Sequence, residues 1–255
     1  MPDRRAHRGP HPKDERLFAP AELDKLRRAG QDYAWLLSRG YTSDAALKLV
    51  GDRFQLFARQ RMALLRGVAA ERIIQERSAK RLSVGHASGR GIAVDGFNCL
   101  ITVEVALSGG VLLLCLDGLY RDLASVHGTY RRVAETGTAI RLLARALGRA
   151  QPASATWYLD RPVSNSGKLA GMLREVFSAE GLDWDVALVA NPDREIPLTG
   201  HIAVSSDGGI LDSSIAFIDL AGEVIAREVP RAWVVDLHPD SELARTGAIC
   251  DITPR

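Results

Sequence analysis

Apolar residues change their spacing once along this chain, and the change divides it. Leu23, Leu26, Tyr33, Leu36 and Leu37 recur at helical intervals, as do Ala45, Ala46, Leu49 and Val50. Pro20 suits a first helical turn and Gly40 an end; Thr42 or Ser43 can cap a second helix that stops before Gly51. A third helix is predicted over about Ala58 to Arg81, and SVGHASGRG, Ser83 to Gly91, reads as a Gly-rich linker. Beyond it, GIAVD, VLLLCLD, TWYLD, DVALVA and HIAVSSD are short continuous apolar runs, as strands buried on both faces require. Helical stretches at about 97–107, 120–149 and 166–180 alternate with them. Strands alternating with helices predict an α/β fold with a doubly wound, mainly parallel sheet, preceded by a small all-α domain. SIAFIDLAGEVIAREVPRAWVVDL predicts an edge hairpin turning at Ala221-Gly222. The expected organisation is a flexible basic arm over 1–16, a helical domain over 17–84 and the α/β domain over 85–255.

Composition supports a sizeable core: of 255 residues, 46% are hydrophobic and 25% charged, which excludes a disordered chain. The net charge of +2 matters less than its distribution. Arg and Lys cluster in the first part and single aspartates are scattered through the second, which suggests a basic accessory region beside an acidic site. GYTSDAALKLVGDRFQLFARQRMALLRG has the outline of a helix-turn-helix, with Arg59, Arg61, Arg66 and Arg72 as candidate phosphate contacts to RNA or DNA. Cys99, Cys115 and Cys250 lack any C-x-x-C pair and read as small buried hydrophobes. No leader-like apolar stretch opens the chain and no run approaches a membrane span of roughly 18 residues, so a cytoplasmic location without a membrane partner is expected. Self-association is left open.

Several apolar runs finish in aspartate: Asp95, Asp117, Asp160 and Asp207. In an open parallel sheet the carboxyl ends of the strands share one edge, so acids distant in sequence converge there. Converging carboxylates repel, and a hard cation such as Mg²⁺ or Mn²⁺ relieves them. Such a site hydrolyses phosphodiesters through metal-activated water, and none of the six histidines has a recognisable catalytic setting. Singly, each aspartate could equally cap a helix or close a turn. Asp95, in VDGFN, is the foremost candidate: Gly96 permits a tight turn, Phe97 can pack, and Asn98 returns to orient Asp95 or hold a metal-bound water. Asp207, in SSDGGILD, has Ser205 and Ser206 as hydrogen-bond donors and Asp212 five residues on. In PVSNSGKLAGML, a helix start at Asn165 or Ser166 with Lys168 in its first turn would hold a substrate phosphate beside Asp160. Trp157, Tyr158 and Trp184 are expected in the core.

VDGFN resembles the first-strand motif of the PIN-like superfamily, particularly its NYN-type branch, and AVSSDGGILD is similar to that superfamily's late strand. The resemblance covers about residues 90–220. It implies a three-layer α/β/α domain with divalent-metal-dependent endoribonuclease activity, Mg²⁺ or Mn²⁺ as cofactor and RNA as partner. Carried over, Asp95, Asp160, Asp207 and Asp212 are the catalytic candidates, and Asp95, Asp207, Asp160 and Asp193 the metal ligands. Asp160 and Asp193 compete for the middle position. Asn98, Ser164, Asn165, Ser166, Lys168 and Ser206 are the substrate-binding candidates. The two-part chain as a whole looks like an uncharacterised prokaryotic family that joins a helical N-terminal domain to this module. A catalytically silent nucleic-acid-binding or protein-interaction module is the alternative, and a phosphatase acting on small phosphate esters a third.

Overall fold

A computed structural model describes residues 7–124 and 130–239. Five helices lead: α1 (Asp14–Leu17), α2 (Pro20–Ser38), α3 (Ser43–Arg53), α4 (Ala58–Gly67) and α5 (Glu71–Lys80). Then follow β1 (Arg81–Leu82), a 3-10 turn at Val84–Ala87, β2 (Gly91–Asp95), α6 (Gly96–Leu107), β3 (Val111–Leu114), β4 (Tyr120–Asp122) and α7 (Thr136–Gly148). The chain continues through β5 (Ser154–Asp160), α8 (Ser166–Ala179), β6 (Asp185–Val189), α9 (Pro192–Leu198), β7 (Ile202–Val204) and α10 (Gly208–Ser213). It finishes with β8 (Phe217–Ile218), α11 (Leu220–Glu228) and β9 (Trp233–Asp236).

Six strands form an all-parallel sheet in the order β1-β8-β7-β2-β5-β6. Alternation along each strand sends side chains to opposite faces, and both faces are buried. Ile92, Val94, Trp157, Leu159, Ile202 and Val204 pack with α6, α7, α8 and α11. Ala93, Tyr158, Ala203 and Phe217 meet Ile196 of α9 and Ile210 and Leu211 of α10. The result is a three-layer α/β/α arrangement preceded by helices, as the continuous apolar runs predict. Trp157 is fully buried and stacks at 5.4 Å on Phe177, which Trp184 meets at 5.3 Å, so these aromatics are core as expected. Cys99 and Cys115 are buried free thiols, and Cys250 lies outside the described residues. Among the described residues no helix is long and apolar enough to cross a membrane.

Several local expectations change. VLLLCLD forms β3, but in a second sheet of order β4-β3-β9, in which β3 pairs antiparallel with β4 and parallel with β9. The expected edge hairpin is a strand, a helix and a strand: β8, then α11 started by Asp219, whose carboxylate accepts from the Gly222 N–H at 2.8 Å, then β9. The stretch expected to be helical over 120–149 begins as β4, and helix is present from Thr136; residues 125–129 lie outside the described residues. The third helix is two, α4 and α5, broken after Gly67. Gly51 does not stop α3; a Cβ there would collide with the Arg61 guanidinium, so the glycine is a docking point.

The leading helices share a core with the second sheet: Leu26, Tyr33, Val50, Leu64 and Val68 pack with Val111, Leu113, Cys115, Val235 and Leu237. β1 then joins the edge of the main sheet, and Val84 and Ala87 of the expected linker are buried. Residues 7–16, expected to be a flexible arm, are fastened down. Arg8 Nε donates to the fully buried Glu104 and Arg8 Nη2 to the Arg131 carbonyl at 2.8 Å; Asp14, itself buried, pairs with Arg59. Residues 1–6 and 240–255 lie outside the described residues.

Candidate functional site

From β2 the chain proceeds to β5 and β6 on one side, then crosses to β7 and β8 on the other. The carboxyl end of β2 is therefore the topological switch point, where the connections diverge and a crevice opens. Asp95 is the last residue of β2 and the N-cap of α6. It is buried, and one oxygen accepts from the Asn98 N–H at 3.3 Å while the other accepts from the Ser205 hydroxyl at 2.9 Å. Gly96 is required by close approach: a Cβ would lie 2.7 Å from the Leu159 side chain and 3.1 Å from the Tyr158 carbonyl oxygen. Phe97 packs at 5.2 Å on Tyr130.

Asn98 does something other than cap the helix. Its Oδ1 accepts from both the backbone N–H of Ser206, at 2.9 Å, and the Ser206 hydroxyl, at 3.0 Å. The Asp207 N–H donates to Ser205 Oγ at 3.0 Å, and Asp207 Oδ1 caps α10 by accepting from Gly209 and Ile210. The Ser205-Ser206-Asp207 segment is thus clamped against the Asp95-Asn98 turn. Asp193 lies in the first turn of α9, whose N-cap is Asn191, and Asp160 ends β5 on the same sheet face as Asp95.

Burial pushes the Asp95 carboxyl up to about 7, against the lowering effect of the Ser205 and Asn98 hydrogen bonds, and the charges of Asp207 and Asp193 push it the same way. Burial, then Asp207 and Asp160, raise Asp193; burial raises Asp160. Between the two contenders for the middle position, Asp193 is the one whose charge weighs on Asp95. Among the described residues no Lys, Arg or His side chain pairs with Asp95, Asp160, Asp193 or Asp207. Yet no three His, Cys, Asp or Glu side chains among them stand close enough to hold a metal ion together. The four carboxylates expected around a metal share one rim without closing on one point. A cation at this rim would have to keep most of its water and be held by one or two carboxylates, since no closed cage is present among the described residues.

Other expected site residues go elsewhere. Arg77 takes Asp212 through Nε at 2.8 Å and Nη2 at 3.1 Å, so Asp212 is the counterion of an arginine and not part of the acidic rim. Asp117 is held by Arg77 and Arg121. Asn165 adopts a left-handed conformation, and its amide donates to the Tyr130 carbonyl at 2.9 Å instead of capping α8. Ser166 is buried and donates to the Arg161 carbonyl, while Ser164 and Lys168 are exposed. The candidate phosphate contacts are occupied: Arg59 by Asp14 and the Leu123 carbonyl, Arg61 by Asp52 and the Leu56 carbonyl, Arg66 by Asp122 and Arg72 by Glu76. Two residues were missed. Asp219 directly follows β8 and caps α11, much as Asp95 closes β2 and caps α6, and it is buried but paired with Arg81 at 3.5 Å; IAFID carries the same signal as GIAVD. Arg121, in β4, donates from Nε to the Ser206 carbonyl at 2.7 Å, and nothing in its local sequence marks it.

Residues 84–223 match the family described as a domain of unknown function, DUF5616. The chain belongs to this family. Residues 25–80 match a second description, a protein of unknown function, DUF434, so the two matches meet where α5 passes into β1. The chain is also similar to the uncharacterized protein MJ0935 of Methanocaldococcus jannaschii, at 32% identity over 201 residues that span 78% of this chain and 96% of the relative. No solved structure matches. The acidic rim, with Asp95, Asn98, Ser205, Ser206, Asp193 and Asp207, lies wholly within the DUF5616 segment.

Proposed function

We propose that this chain is a divalent-metal-dependent endoribonuclease with a PIN-like site at the carboxyl edge of its parallel sheet. The observation that carries this reading is Asp95: a buried carboxyl at the switch point, on one rim with Asp207 and Asp193, with no cationic side chain paired to it among the described residues. Isolated buried charges are costly and persist mainly where something compensates them. Asp95 and Asp207 would hold Mg²⁺ or Mn²⁺, with Asp193 and Asp160 extending the acidic rim. Bound there, such an ion would supply Lewis acidity and lower the pKa of a water enough for it to lose a proton near neutral pH and serve as the nucleophile toward a phosphodiester. Ser205 fixes one Asp95 oxygen and Asn98, through Ser206, fixes the segment that carries Asp207. The α8 N-terminus, which has no side-chain cap, and Lys168 in its first turn offer N–H groups and a positive charge to a substrate phosphate. RNA as substrate, a cytoplasmic setting and self-association belong to this reading.

The test is cleavage of a labelled single-stranded RNA with Mn²⁺. Asp95→Asn should abolish it while leaving the fold and RNA affinity intact; cleavage at the wild-type rate would remove Asp95 from the mechanism. A catalytically silent RNA-binding module is favoured by one observation, the failure of three ligands to converge. Salt-dependent RNA binding by the wild-type chain without metal-dependent turnover would establish it.

A further inference from the structure

A chain of charges runs from the helical part of the molecule to the clamped segment of the site. Asp212, at the end of α10, meets Arg77 of α5; Arg77 Nη1 donates at 2.8 Å to Asp117, between β3 and β4. Asp117 accepts both Nη groups of Arg121, at 2.9 and 2.7 Å, and Arg121 Nε reaches the Ser206 carbonyl. The line holds two guanidiniums and two carboxylates, so it is neutral as a whole. Burial pushes the Asp117 carboxyl up, but its contacts with Arg121 and then Arg77 bring it below its ordinary value. Gly208, just after Asp207, makes room for it: a Cβ there would lie 2.7 Å from Arg77 Nη2.

We propose that Arg121 is a positioning residue for the acidic site, and that Arg77, contributed by the helical region, holds Arg121 in place through Asp117. Arg121 spends three donors in one plane: two fix its guanidinium to Asp117, and the third is thereby aimed at Ser206. Ser206 is the residue clamped by Asn98, and its neighbours are Ser205, which holds Asp95, and Asp207, which starts α10. A lysine keeps the charge but lacks the fork, so it cannot face Asp117 with two donors and Ser206 with a third. The match of residues 25–80 contains Arg77, whereas Asp117, Arg121, Ser206 and Asp212 lie in the match of residues 84–223. The helical part thereby acts on the site without touching Asp95.

Amide hydrogen exchange on the full chain tests this without needing turnover, so its outcome is independent of the nuclease reading. Arg121→Lys should speed exchange of the Ser206 and Asp207 amides by about tenfold, equal to about 1.4 kcal/mol of local protection. Val94 and Trp157, in the central strands, should keep wild-type protection. Arg77→Lys should speed the same two amides by a smaller factor. Unchanged exchange at Ser206 in Arg121→Lys would overturn the positioning role. A response to Arg121→Lys but none to Arg77→Lys would overturn the reach of the helical region. Should a lysine variant lose central-strand protection as well, Asp212→Asn, at the half-exposed end of the line, serves in its place: faster Ser206 exchange supports the coupling and unchanged exchange refutes it.

Discussion

Asn98 and Ser206, 108 positions apart, are joined twice: a single amide oxygen accepts from the serine's backbone N–H and from its hydroxyl. That pair closes the end of β2 against the end of β7 and leaves Asp95 held between them. Removing the acceptor strands two donors of a buried residue. Asn98→Ala should cost about 1–3 kcal/mol in urea unfolding. A loss below about 0.5 kcal/mol for the alanine variant would show that the clamp contributes little.

Stability should fall as pH rises through neutrality. The folded Asp95 carboxyl is raised from 3.8 to about 7, so the folded state binds the proton more tightly than the unfolded chain. The resulting stabilisation is fully present below about 4 and is lost as pH rises through about 7, with a span on the order of 4 kcal/mol. Asp193 and Asp160 are raised and add in the same direction. Urea midpoints at pH 5 and pH 8.5 should therefore differ more for the wild-type chain than for Asp95→Asn. Equal differences in the two proteins would show that Asp95 titrates in its ordinary range.

The segment before α2 is structural. Glu104 is fully buried, with Tyr130 and Thr136 as hydrogen-bond donors and Arg8 as its cation. Arg8→Met leaves that carboxylate uncompensated and should cost about 3 kcal/mol. Adding Glu104→Gln should restore part of the loss in a double-mutant cycle of thermal unfolding. Wild-type stability in Arg8→Met would return residues 7–16 to the status of a loose arm.

At Gly96 the constraint is space. A methyl group there meets the Leu159 side chain and the Tyr158 backbone, so Gly96→Ala should force α6 away from β5 at a cost of about 1–3 kcal/mol. Chemical denaturation measures it. A neutral substitution would mean that the start of α6 yields easily.

The sequence carries much of this architecture because β2, β5 and β6 are continuous apolar runs, each bounded by polar or turn residues, and burial on both faces needs such runs. Asp95 and Asp160 are legible for the same reason: a charge at the end of a buried run marks the sheet edge, and Asp207 follows β7 after two serines. Partnership is less legible. VLLLCLD reads as a strand, but nothing in its spacing says that β3 belongs to another sheet, or that Asp117 faces two arginines. Ala221-Gly222 reads as a hairpin turn, yet Asp219 caps a helix there, and its buried residues Leu220, Ala221, Val224 and Ile225 share a helical face. Arg59 and Arg66 resemble phosphate contacts only while their partners, Asp14 and Asp122, are unknown. The interaction that ties Arg121 to Ser206 joins a side chain to a backbone carbonyl 85 residues away, and a carbonyl leaves no trace in a sequence.

If Asp95 is the core of a cation-binding acidic site, as proposed above, carboxyl-carbon NMR titration of the aspartates with and without Mg²⁺ will show it most directly. The Asp95 resonance should titrate near 7 in the metal-free protein and should shift to lower pH when Mg²⁺ is added, because the cation stabilises the carboxylate. A midpoint near 4, unmoved by Mg²⁺, would mean that Asp95 neither has a raised pKa nor holds a cation.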